Sequence, residues 1–128
     1  MSLIEHYTGQ ISEKAIGAAI EVHRQLGPGL LESSYHACLC RELELRDIPH
    51  HSEVALPLEY KGLQIAKGYV IDLLIEVSLI VEVKSVEKLL PVHSAQLMTY
   101  MRLKRAPSGL LINFNVHTLF HGIKRILR

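Results

Sequence analysis

Three charged side chains, Asp72, Glu82 and Lys84, stand in what reads as an otherwise apolar pair of strands within Y-V-I-D-L-L-I-E-V-S-L-I-V-E-V-K, residues 69–84. An unpaired charge is costly to bury, so such groups are normally paired, metal-bound or left at an edge. Two carboxylates beside a lysine is the chemistry that holds a hard divalent cation next to a negatively charged substrate. The competing reading is a surface strand pair whose charges form cross-strand ion pairs, each worth at most about 1 kcal/mol.

The spacing favours one register. Val70 to Ile75 and Leu79 to Val83 are rich in β-branched and aliphatic residues, which favours strands. If Glu76, Val77 and Ser78 form a three-residue hairpin loop, Ile75 pairs with Leu79, and counting outward sets Asp72 opposite Glu82. Opposed residues share a face, and Lys84, two beyond Glu82, shares it too. A four-residue loop would shift the pairing by one and scatter the three. The loop is weakly specified, because Ser78 is a poor residue for a left-handed position.

The elements that must position this segment follow from periodicity. Ser12 to Leu26 reads as a helix with Ser12 as N-cap and Ile16, Ala19, Ile20, His23 and Leu26 as its inward stripe. Gly27-Pro28-Gly29 stops it. Glu32 to Arg46 reads as a second helix with Tyr35, Leu39, Leu43 and Arg46 recurring at threes and fours, ended by Asp47-Ile48-Pro49. Strands are expected over Ser52 to Tyr60, within Leu63 to Ile75, and over Leu79 to Val86. His93 to Lys104 reads as a third helix after Pro91. Gly109 to Phe114 and Leu119 to Leu127 read as closing strands, or as a strand and a frayed basic tail. This order predicts an α/β (α+β) layer fold with a mixed sheet flanked by helices.

At 128 residues the chain is read as one domain with room for a real core. Charges interrupt every apolar run before it is long enough to span a bilayer, and M-S-L-I-E-H-Y lacks the basic start and apolar core of a signal peptide. A soluble cytoplasmic protein with no membrane partner is expected. The formal net charge of +1 provides no global basic field, so contact with nucleic acid would need a local patch. Two such patches are visible, Arg102, Lys104 and Arg105, and Lys124, Arg125 and Arg128; each reads equally well as solvated charge. Cys38 and Cys40 are two apart on a helix, which points them to different sides and argues for free thiols. No Cys/His set has the spacing of a structural zinc site.

Several segments together resemble a known family. G-P-G-L-L-E-S-S-Y carries Gly29, Glu32 and Tyr35 as G-x-x-E-x-x-Y, and is followed by I-D-L-L, V-E-V-K, H-S-A-Q-L-M-T-Y, G-L-L-I-N-F-N and G-I-K-R-I. In this order, from about Ile11 to Ile126, they resemble the GxxExxY proteins, a branch of the PD-(D/E)XK nuclease-like superfamily. The resemblance implies a restriction-endonuclease-like core and hydrolysis of phosphodiester bonds with Mg²⁺ (or Mn²⁺), DNA standing ahead of RNA as substrate. It matches Asp72 to the metal-binding aspartate, Glu82 and Lys84 to the E-x-K, and Glu32 to the helical glutamate that reaches toward the metal. It also matches Gln96 and Tyr100 to a Q-x-x-x-Y that orients substrate or lysine, with the carbonyl of Val83 as a further metal ligand. The chain departs from the pattern at Glu76-Val77-Ser78, where a Gly or Asn turn is expected, and at Ile71, where a small residue precedes the aspartate.

Bland roles compete at the supporting positions. Glu32 would favour the positive end of a helix dipole, Tyr35 would pack, and Gln96 and Tyr100 would form a surface i, i+4 pair. Pro91-Val92-His93 looks like a helix entry. A catalytically inactive binding or self-assembly module is the alternative function, with Leu89-Leu90-Pro91-Val92 as the patch for a homo-oligomer.

Overall fold

The computed structural model describes residues 3–128. In chain order the elements are α1 (Leu3–Leu26), α2 (Glu32–Leu45), β1 (His50–Tyr60), β2 (Leu63–Ile75), β3 (Leu79–Lys84), α3 (Pro91–Lys104), β4 (Ser108–Asn113), a 3-10 turn (Leu119–Gly122) and β5 (Ile123–Leu127). The five strands form one sheet in the order β1-β2-β3-β4-β5. All neighbours are antiparallel except β3 and β4, which are parallel and joined across α3. The expected mixed α+β sheet flanked by helices is the fold found.

Two apolar clusters cover the two faces. On one side, Ile11, Ala15, Ala18 and Val22 of α1 and Tyr35, Leu39 and Leu43 of α2 pack on Leu73, Val81, Val83, Leu110 and Ile112. On the other, Leu97, Tyr100 and Met101 of α3 pack on Leu74, Ile80 and Leu111. A side chain at Gly109 would put its Cβ 2.8 Å from Met101 Sδ and 2.9 Å from Leu97 Cδ1. The missing Cβ is what lets α3 close on the sheet and bring Tyr100 down to it.

Several boundaries differ from the sequence reading. Helix α1 starts at Leu3, and Ser12 is buried inside it instead of capping it. Of its expected inward stripe, Ala19 and His23 are buried and Ile16 packs on the core, whereas Ile20 and Leu26 stay exposed and the small Ala15 and Ala18 are buried, which allows closer helix packing. Arg46 is exposed as the C-cap of α2. β1 begins two residues early and tolerates Pro57 because a bulge between Leu56 and Leu58 falls on this edge strand. β3 stops at Lys84, and the C-terminal region forms a 3-10 turn before a short strand.

The three-residue loop is present, and Ile75 pairs with Leu79 as expected. Its strain lies elsewhere: Glu76 and Val77, at φ 50° each, are left-handed, and the Ser78 N–H donates to the Ile75 carbonyl at 3.1 Å. A β-branched residue there costs about 1–2 kcal/mol.

Candidate metal centre

The pairing of β2 with β3 runs from Ile75↔Leu79 to Leu73↔Val81. At the next position the carboxylates take over the ladder. The Asp72 N–H donates to Glu82 Oε2 at 3.0 Å, and the Val83 N–H donates to Asp72 Oδ2 at 2.8 Å. Each acid thus satisfies a backbone donor that a regular strand pair would have satisfied with a carbonyl. Alternation along β2 also breaks here: Ile71 and Leu74 belong to the α3-side cluster, whereas Leu73 belongs to the other. On β1 the residue that register places opposite Asp72 is Glu53, which is left-handed at φ 54°. Counting by twos therefore located the meeting of Asp72 and Glu82 but not its form.

Glu82 is 3% exposed. Burial first, then the charge of Asp72, pushes its pKa up to about 8; the Asp72 N–H and Lys84 pull the other way. When protonated, Glu82 also hydrogen-bonds the Asp72 carboxylate. Two acids so close cannot both ionise cheaply without a cation. An all-oxygen pair that holds a proton in the absence of metal is the donor set a hard divalent ion displaces that proton from. The fit is good on these grounds. Glu32 is exposed at the first turn of α2, and its carboxylate makes no hydrogen bond or ion pair among the described residues. Among those residues no group of three or more His, Cys, Asp and Glu converges on one point, so Asp72 and Glu82 stand as a pair.

The α3 residues reach the same place. Tyr100 is buried and meets Tyr69 of β2 edge-on at 5.7 Å. Burial, then the negative charges of Glu82 and Asp72, raise its phenol pKa above the ordinary range, while a hydrogen bond from Gln96 lowers it. Gln96 itself is exposed. Lys84 is half-buried at the end of β3, in register with Asn113 of β4. His93 accepts the Leu90 N–H on Nδ1 at 2.9 Å and so belongs to the entry of α3.

Sequence reasoning missed the clamp that fixes the chain just beyond Lys84. Asn113, 2% exposed, accepts the N–H of Val86 at 3.0 Å on Oδ1 and donates Nδ2 to the Val86 carbonyl at 2.9 Å. The Phe114 N–H donates to the Lys84 carbonyl at 2.9 Å. From the other side, Ser85 Oγ donates to the Leu30 carbonyl at 2.6 Å. Leu30 is held in turn by Tyr35, whose hydroxyl accepts the Leu30 N–H at 3.2 Å and donates to the Gly27 carbonyl at 2.5 Å. The Tyr35 ring stacks on Phe114 at 4.6 Å. The tyrosine of G-x-x-E-x-x-Y thus ties the start of α2, where Glu32 stands, to the segment after Lys84. The signal available was Asn113 itself, a lone polar residue in the apolar run G-L-L-I-N-F. Tyr35→Phe keeps the stack and removes the hydroxyl. It is expected to cost about 1–2 kcal/mol in thermal melts and to speed hydrogen exchange at Ser85 and Val86; unchanged exchange there would break the link.

Residues 9–126 match a family described as the PD-(D/E)XK nuclease superfamily. No curated protein and no solved structure matches the chain. The mixed five-stranded sheet flanked by helices is consistent with the restriction-endonuclease-like fold of that superfamily. Among the described residues no helix is long and apolar enough to cross a membrane.

Proposed function

The chain belongs to the PD-(D/E)XK nuclease superfamily, and from that premise we propose that it is a divalent-metal-dependent nuclease that hydrolyses phosphodiester bonds, DNA ahead of RNA. The observation that carries this is the crossed hydrogen bonding of the two acids, Asp72 N–H to the Glu82 carboxylate and Val83 N–H to the Asp72 carboxylate, which sets two carboxylates together with Glu82 kept at a pKa of about 8. These two would hold Mg²⁺ or Mn²⁺, with the Val83 carbonyl as a further protein ligand; Glu32, expected to join them, stands apart from the pair at the exposed start of α2. When bound, the ion supplies Lewis-acid charge beside the scissile phosphate.

Lys84 offsets negative charge that develops on the phosphate and orients the attacking water. The clamp at Ser85 and Val86 keeps its backbone from moving during that step. Gln96, exposed on α3, would present an amide to the substrate, while the buried Tyr100, to which it hydrogen-bonds, supports the carboxylate pair from behind. In the hydrolysis, water oxygen bonds to phosphorus, the ester P–O bond breaks, and the leaving oxygen takes a proton. The motif from Gly29 to Tyr35 supports placing the chain in the GxxExxY branch, and half-buried free thiols at Cys38 and Cys40 fit a reducing, cytoplasmic setting.

The test is incubation of single- and double-stranded DNA and RNA with the protein and Mg²⁺ or Mn²⁺. Metal-dependent products that EDTA abolishes are expected; intact substrate in every combination would sink the proposal. A second reading, an inactive self-assembly module, is favoured by one observation, the exposure of Leu90 and Val92 before and in the first turn of α3. It would show as a dimer in sedimentation with no cleavage by wild type.

A further inference from the structure

The charges of this chain are segregated. Residues 88–128 carry seven of the fourteen Lys and Arg and none of the thirteen Asp and Glu. The near-zero net charge hides this, because all the acids lie in residues 1–87. In three dimensions the basic part is α3, β4 and β5, and the two basic runs of the sequence become neighbours. The Arg128 N–H donates to the Pro107 carbonyl, and Arg128 Nη1 donates to the Met101 carbonyl at 3.3 Å, which joins the end of β5 to the last turn of α3. Arg102, Lys104, Arg105, Lys124, Arg125 and Arg128 are all exposed. The ion pairs among the described residues lie in α1 and α2 and their ends, so none of these six is neutralised by one.

Cations at the C-terminus of a helix favour its dipole, which explains Arg102 and Lys104 in part. It does not explain Lys124, which is on a strand and faces the α3 side of the sheet with Leu111, or the absence of any acid from residues 88–128; Arg125 faces the other side, where its Nη2 lies 3.9 Å from the position a Cβ would take at Gly9 of α1. The surface is continuous with the candidate centre in two ways. Tyr100, beside Glu82 and Asp72, is on the same helix as Arg102 and Lys104. Glu82, Leu111 and Lys124 share one row across β3, β4 and β5, which sets Lys124 about 10 Å from Glu82 along the sheet.

We propose that the last turn of α3 and strand β5 form the surface on which the phosphate backbone of a nucleic acid lies while its scissile bond is at the carboxylate pair. The proposal rests on the nuclease reading for its partner, and not on turnover. Closely spaced exposed cations with no ion-pair partner match a polyanion and give no base readout, so binding here is independent of sequence and falls steeply with salt.

The test uses fluorescence anisotropy of a 30-base-pair DNA or RNA duplex in the Asp72→Ala background, with no turnover needed, over a salt series. Arg102→Gln with Lys104→Gln is expected to weaken binding about tenfold or more at moderate salt and to lower the salt slope by about 1 for each cation removed. Lys14→Gln with Arg41→Gln, the same charge change in the acid-rich part, is expected to leave both nearly unchanged. Equal effects from the two pairs, no effect from the first, or binding to anionic lipid vesicles with none to either duplex would each overturn the assignment. Patch-dependent duplex binding by a protein that never cleaves would uphold this surface while the catalytic proposal fails; cleavage with patch-independent binding would do the reverse.

Discussion

Asp72→Asn is expected to lower metal-dependent cleavage by about 10³-fold or more while the protein stays folded. An asparagine oxygen can still accept the Val83 N–H that Asp72 Oδ2 now accepts at 2.8 Å, so the local backbone keeps its partner. What is lost is one of two negative charges, and with it the attraction for a divalent ion. Lys84→Ala should give a different signature. Cleavage falls by about 10²–10³-fold through the loss of a positioned cation at the reacting phosphate, but affinity for the ion stays or rises, since a neighbouring positive charge has gone. Calorimetry and single-turnover kinetics on the two variants separate the roles. If Lys84→Ala lost metal binding as well, or Asp72→Asn cleaved like wild type, the roles given to these residues would be wrong.

The second large effect is on stability and runs against activity. Glu82 has a folded-state pKa of about 8 against an ordinary value of 4.5. Between those values the folded protein retains a proton that the unfolded chain has released. Stability from this proton is therefore fully present below about pH 4.5, declines as pH rises, and is gone above about 8. Without metal, the melting temperature should fall by roughly 10 °C or more between pH 5 and pH 9, corresponding to about 4 kcal/mol at most. Glu82→Gln keeps an amide oxygen to accept the Asp72 N–H and removes the buried charge. It should melt higher than wild type above pH 7, flatten this pH dependence, and abolish metal binding. A melting temperature that rises with pH in the wild type would contradict the burial argument. Saturating Mg²⁺ should recover the stability lost at high pH, because the ion binds the ionised pair and so the folded state.

Such a trade of stability for function also explains what could be read from the sequence. Asp72, Glu82 and Lys84 were legible because charges in an apolar run need a reason, and a three-residue count from Ile75 to Leu79 brought the two acids to the same level. The form of their meeting was not legible. Strict alternation assumes a regular ladder, and this ladder ends at Leu73↔Val81, where side chains replace carbonyls and Glu53 turns left-handed. Asn113 carried the same kind of signal as Asp72, a polar residue in a buried strand, but its partners at Val86 are 27 residues away and no local period points to them. On α1, Ala19 and His23 are buried as the periodicity predicts, but Ile20 and Leu26 are exposed, and the small Ala15 and Ala18, which hydrophobicity alone does not single out, are buried instead. The two basic runs were visible, but their union depends on β5 returning alongside β4 to the end of α3.

The most direct measurement is a calorimetric titration of Mg²⁺ into wild type and Asp72→Asn at pH 7, in two buffers of different ionisation enthalpy. Saturable binding in wild type, accompanied by proton release from Glu82 and absent from Asp72→Asn, is the expected result. No binding by wild type, even with a non-cleavable oligonucleotide present to complete the ligand shell, would contradict the assignment of Asp72 and Glu82 as a metal centre.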